Sequence, residues 1–285
     1  MPSLIDLRRR IRSVRNTQQV TKAMKMVSAA KLRRAQDRVL QARPYANIFR
    51  EVLGDVAAAV AGDERLMSLP LLAHRPERSI ILLLLTSDRG LAGAFNSNLI
   101  RAAQAFLRER EGAEISIIAL GRKGRDFFRK AGASIIGERI GISQTATYAD
   151  AADIAGTVIS RFESGEADAV YALYNEFKSV VSQKLTTLPI LPLRMPEGGG
   201  RDYIYEQPPL ELLGTLLPRY VEISIYQAML ETAASEHAAR MTAMEAATTN
   251  ASEMIDHLTL YMNRVRQASI TKEIIEVVSG AAAAL

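Results

Sequence analysis

At 285 residues, 48% apolar and 24% charged, the chain is long enough to bury one or two real cores. It contains no cysteine, which rules out disulfides and thiolate chemistry and fits a reducing compartment. The net charge of +5 averages unlike parts: residues 1–43 hold 12 Lys+Arg against 2 Asp+Glu, and residues 219–285 hold 5 against 8.

From Ser3 to Arg43 there is neither glycine nor proline, and Ser3 with Asp6 forms a capping-box signature. Leu4, Leu7, Ile11, Val14, Thr21, Met24, Val27, Leu32, Ala35 and Val39 predict a helical stripe with a period nearer 3.6 than 3.5. The helix is expected to pass Pro44 and end near Ala61, making residues 1–61 one long N-terminal element. The cluster Arg8-Arg9-Arg10 is followed by no apolar segment, so no secretory signal is read here. Gly62 to Pro76 reads as a loop. Ser79 to Thr86 is a short apolar run, expected for a strand covered on both faces. Helical and strand patterns then alternate: a helix over 99–110, a strand over 114–120, a short helix ending near Gly132, and a strand at 134–136. A helix over 149–162, a strand over 169–174 and an extended segment over 181–193 complete the series. Such alternation predicts an open, Rossmann-like α/β domain over residues 77–195. Gly198 to Pro209 reads as a linker. No window reaches the length of a membrane span.

The last element, residues 210–285, is the longest. Arg219 to Ser279 runs without glycine or proline, and a straight helix of that length would reach roughly 90 Å. Met241, Met244, Thr248, Ala251, Ile255, Leu258, Met262 and Val265 follow steps of three and four, a coiled-coil seam interrupted at Thr248. Alanines between Ala228 and Ala251 favour helix and let a partner come close. The opposite charge balance of the two termini predicts that they pair as one antiparallel coiled coil, with the α/β domain inserted between them.

Catalytic signatures are weak. Gly90-Leu91-Ala92-Gly93 follows a strand and precedes a helix, as a phosphate loop would, but it is neither G-x-G-x-x-G nor a Walker A loop. The competing reading is a tight turn capped by Asn96, with Asp88 and Arg89 paired to each other or to loop amides. His74, His237 and His257 match no metal-ligand spacing, and the latter two read as helix-surface or interhelical residues. The basic N-terminal helix suits an acidic partner: protein loops, nucleic acid or an anionic membrane. Three functional classes thus stand side by side: a coupling or docking rod, a coiled-coil scaffold that binds nucleic acid, and a nucleotide-dependent enzyme using the Thr86–Gly93 turn.

Three motifs weigh these classes. I-x-S-V-x-N-T-Q-x-V-T-K-A-M-x-M-V at Ile11–Val27, T-S-D-R-G-L-x-G at Thr86–Gly93 and R-Q-A-S-I-T-x-E…V-S-G-A at Arg266–Ala281 resemble the gamma subunits of bacterial F-type ATP synthases. The resemblance spans the whole chain. It implies a central-stalk rotor without catalytic residues or cofactor, working with the alpha, beta and epsilon subunits and the ring of c subunits, and with no nucleic acid. It also implies residence on the cytoplasmic face of the inner membrane, reached only through the complex. Arg266, Gln267, Thr271 and Glu273 match positions that engage a catch loop on beta, and Met24 matches the position facing an acidic loop of beta. Val277, Val278 and Ala281–Leu285 match the apolar tip. Many members carry cysteine where this chain has Ala92, so redox switching is not implied here.

Overall fold

The computed structural model describes residues 3–141, 146–195, 201 and 203–283. It is a mixed α/β chain with one very long helix at each end and a five-stranded sheet between them. Helix α1 spans Leu4–Ala59 and carries Pro44 inside it. The Ser3 hydroxyl accepts from the Asp6 amide at 3.2 Å and Asp6 Oδ2 accepts from the Ser3 amide at 3.4 Å, so the expected capping box is formed. Two short 3₁₀ turns, Glu64–Ser68 and Pro70–Leu72, occupy the segment read as a loop.

The sheet consists of β1 (Ser79–Leu85), β2 (Glu114–Leu120), β3 (Ile135–Arg139), β4 (Ala169–Phe177) and β5 (Gln183–Leu191). Its order is β3-β2-β1-β4-β5, parallel except for the β4–β5 pair. The helices between strands are α2 (Phe95–Glu109), α3 (Arg122–Lys130) and α4 (Tyr148–Glu163). The connections leave β1 toward β2 and return to β4 on its other side, so the order reverses beside β1, the place where doubly wound sheets open a crevice. β1 is central, which is why its sequence is an unbroken apolar run: Ile80 to Leu85 are all buried. Its even positions meet Phe95, Leu99, Ala103 and Phe106 of α2 and Phe128 of α3 in one core. Pro189, without an amide hydrogen, lies on β5 at the edge of the sheet, where proline is tolerated. At Gly121, with φ 116°, an added Cβ would stand 2.1 Å from the Thr86 carbonyl oxygen, so only glycine fits.

The last helix, α5, spans Pro209–Ala283, 75 residues that include Gly214 and Pro218. Gly198–Gly200 of the expected linker and the terminal Ala284 and Leu285 lie outside the described residues. Contacts divide the chain into two compact bodies: Ala29–Arg240, and Met1–Ser28 with Met241–Leu285.

In α1 the buried and half-buried positions repeat every seven residues, as Leu7, Val14, Thr21, Ser28, Ala35 and Phe49, interleaved with Ile11, Lys25, Leu32, Val39, Ala46 and Leu53. That corrects the expected 3.6 period. Val27, placed in the stripe by its apolarity, is 56% exposed, and Ser28 is buried instead. The seam follows a strict heptad, which selects positions by geometry and admits Thr21, Ser28 and Lys25 where small or long-stemmed side chains fit.

Candidate functional site

Two regions carry the motifs, and a third holds a run of buried polar side chains. The first is the body formed by Met1–Ser28 and Met241–Leu285. Thr21 meets Thr248 with hydroxyl oxygens 2.8 Å apart, and one turn away Lys25 Nζ lies 2.5 Å from Glu245. One helix number rises as the other falls, so the two helices run antiparallel. All eight expected seam positions from Met241 to Val265 are buried or half-buried. The interruption at Thr248 is a hydroxyl pair across the seam, a polar layer of the kind that helps set register. Met24 is half-buried at the rim of this seam, beside Thr21 and Lys25.

By the same antiparallel register Leu4 falls opposite Val265, and α1 ends there. Arg266, Gln267, Thr271 and Glu273 all lie beyond that point on α5 and are exposed. The Thr271 hydroxyl donates to the Gln267 carbonyl at 3.0 Å, and Ser269 donates to Glu273 Oε1 at 3.3 Å. Ile270, Ile274, Ile275, Val277 and Val278 are exposed on the same stretch. The structure therefore separates the expected site residues. Met24 sits near the level of Glu245, and the Arg266 group stands about 21 residues, roughly 31 Å, further along α5.

The second region is the turn after β1. Asp88 accepts the Arg122 amide at 3.0 Å and the Gly141 amide at 2.9 Å, so of the two pairings expected for it the loop amides are the one formed. Asn96 does not cap α2: its Oδ1 accepts the Ser87 amide at 3.0 Å, tying the turn shut, and the N-cap position is Ala94 without a side-chain bond. Leu91 takes φ 62° and stays 64% exposed, an uncommon backbone for a bulky residue. Arg240 of α5 reaches the Gly90 carbonyl at 3.3 Å. At the position of a phosphate loop the chain thus satisfies its own groups: Asp88 takes two backbone amides and the Arg240 guanidinium takes the Gly90 carbonyl.

The third region carries none of the motifs. Residues 228–240 of α5 are buried almost all round, although they include Glu231, Thr232, Ser235, Glu236, His237 and Arg240. Their polar atoms find partners both far away in sequence and one turn along the same helix. Ser235 donates to the Asn175 carbonyl of β4 at 2.9 Å, Arg43 of α1 faces Glu231 at 3.7 Å, and Arg240 pairs with Glu236 at 2.7 Å. Burial pushes the Glu231 carboxyl up, with Gln227 and Arg43 opposing. His237, read above as a surface or interhelical residue, is buried. Burial, followed by Arg240 and Lys31, pushes its ring down to about 4. The one sequence signal for this enclosure is the density of alanine: Ala228, Ala233, Ala234 and Ala238 let α1 and the sheet approach closely.

Among the described residues no three of His, Cys, Asp and Glu are grouped to hold a metal ion, and no helix is long and apolar enough to cross a membrane.

A family model described as ATP synthase matches residues 3–284. The ATP synthase gamma chain of Solibacter usitatus (strain Ellin6076) is 64% identical over 285 residues, covering 100% of each chain. The chain belongs to the ATP synthase gamma chain family. A further member, from Pelotomaculum thermopropionicum, is 51% identical over 287 residues and 99% of each chain is covered. Among solved structures, the central stalk and c-ring of the Tetrahymena thermophila mitochondrial ATP synthase contains a chain at 26% identity and TM-score 0.63, covering 80% of this chain and 99% of that one. The gamma chain resemblance carried by the three motifs is thereby borne out, as is the fold with long terminal helices and an α/β sheet between them.

Proposed function

We propose that this gamma chain is the rotor of the central stalk of an F-type ATP synthase, carrying rotation of the c-ring to the alpha and beta subunits and so coupling proton flow to ATP synthesis or hydrolysis. Residues 1–61 and 210–285 act as the two strands of the shaft, and residues 77–195 form the foot beside epsilon and the c-ring, at the cytoplasmic face of the inner membrane. The chain contributes no catalytic residue; nucleotide chemistry belongs to its neighbours.

The observation that carries this reading is the bare end of α5. From Arg266 onward a helix with exposed Ile270, Ile274, Ile275, Val277 and Val278 continues past the end of its partner. An unpaired helix of this apolarity needs a surrounding surface. A shaft inside a ring of subunits supplies one, and an asymmetric shaft biases each surrounding site differently as it turns. In that setting Arg266, Gln267, Thr271 and Glu273 form angle-dependent contacts to beta near the tip, and Met24 forms one lower down. Two separate stations, rather than one patch, are what the spacing along α5 supports.

Affinity capture with subunit identification tests this. Alpha, beta, epsilon and c subunits should co-purify. Recovery of nucleic acid in a salt-sensitive manner, without those subunits, would instead support the scaffold reading.

A further inference from the structure

We propose that His237 makes the seating of α5 in the Ala29–Arg240 body proton-sensitive: a neutral ring lets α5 pack between α1 and the sheet, and a proton on that ring loosens the packing. The inference is independent of the rotor reading.

The ring is 6% exposed, and its Nδ1 has no hydrogen-bond partner among the described residues. The charged groups facing it are Lys31 from α1 and Arg240 from α5 itself, both cations. The adjacent carboxylate, Glu236, already lies 2.7 Å from Arg240, and Glu231 faces Gln227 and Arg43. On the β4 side the contact nearest in the helix is the Asn175 carbonyl, which accepts from Ser235 and does not titrate. A charged imidazolium here would thus meet two positive neighbours in a site closed to water.

The sign follows from linkage. In an opened segment the ring takes a proton near pH 6.5, whereas the seated ring resists until about 4. Stability from this residue is therefore complete above about 6.5 and is lost as pH falls through the window between the two values. Glu231 works in the opposite direction, because burial raises its carboxyl and a proton there favours the seated state.

Hydrogen exchange of the full-length chain, read on a peptide covering residues 229–240 and corrected for the intrinsic pH dependence of exchange, measures the opening. Between about pH 7 and about pH 5 the opening equilibrium should rise about 20-fold, with β1 as an internal reference that changes less. His237→Gln should flatten the response. A variant lacking the other two histidines, His74→Gln with His257→Gln, should keep it whole, and Glu231→Gln should leave it equal or larger. If His237→Gln is open at every pH, the His74/His257 variant decides alone. A flat wild-type profile, a response that survives in His237→Gln, or one that disappears in the His74/His257 variant overturns the proposal.

Discussion

Replacing Arg240 by Met tests the enclosure of α5 most directly. The methionine keeps the length of the apolar stem and removes the guanidinium, which lies 2.7 Å from Glu236 and 3.3 Å from the Gly90 carbonyl. The carbonyl contacts are long and contribute little, so the cost comes from a buried carboxylate that loses its guanidinium partner. Breaking a buried pair in this way costs about 3–5 kcal/mol. The carboxylate can escape by taking a proton, which for a glutamate at neutral pH costs about 3.7 kcal/mol, and this sets the ceiling. The expected loss is therefore about 3–4 kcal/mol near pH 7, shrinking toward about 1 kcal/mol near pH 5 as protonation becomes cheap. Urea unfolding followed by tyrosine emission reads it, since eight of the nine tyrosines lie within Ala29–Arg240. Glu236→Gln combined with Arg240→Met should recover most of the loss. A single-variant cost under about 1 kcal/mol, or a double variant no better than the single one, would refute the argument that the pair is held in a dry site.

Further outcomes follow from the other two regions. Met24→Lys adds a cation beside Lys25 on a half-buried rim, and should lower ATP-driven proton pumping in membrane vesicles while the complex still assembles; normal pumping per assembled complex would remove Met24 from the beta contact. Leu258→Pro breaks α5 within the seam, at about 3 kcal/mol or more. Coupled ATP synthesis should then fall far more than on deletion of Ala281–Leu285, and equal damage would mean that the tip docks specifically. Asp88→Ala frees two backbone amides and should destabilise the α/β body by about 1–3 kcal/mol without altering nucleotide affinity. Calorimetry on the isolated chain should find no ATP binding tighter than about millimolar, and tighter binding would reinstate the nucleotide-site reading.

The sheet was legible because burial on both faces of β1 leaves a short unbroken apolar run, SIILLLL, bounded by turn residues. The heptad of α1 was harder to read. Its apolar residues Val20, Val27, Leu40 and Ile48 are exposed, while Thr21, Ser28 and Lys25 occupy seam positions, so letters alone blur the period toward 3.6. The stretch from Glu231 to Arg240 could not be read as interior, because its charges look like a solvated face. Their satisfaction depends on Arg43, Asn175 and Gly90, which only the tertiary fold brings near. The residues proposed to face a partner have the reverse difficulty. Arg266 and Gln267 are exposed and bond nothing unusual, so their candidacy came from the family motif and not from physical pattern.

The Thr21–Thr248 layer has a consequence for how the length of this chain can change over generations. A residue inserted into α5 between Thr248 and Leu258 would turn every later seam position by about 100° and advance it about 1.5 Å. Leu258 and Met262 would then face solvent, while Thr248 stayed locked to Thr21 at 2.8 Å. Only an insertion of seven, matched against α1, keeps both the hydroxyl layer and the apolar layers in place. Length variation among related chains should therefore collect in the connections of the α/β body, and where it enters the helical pair it should come in whole heptads.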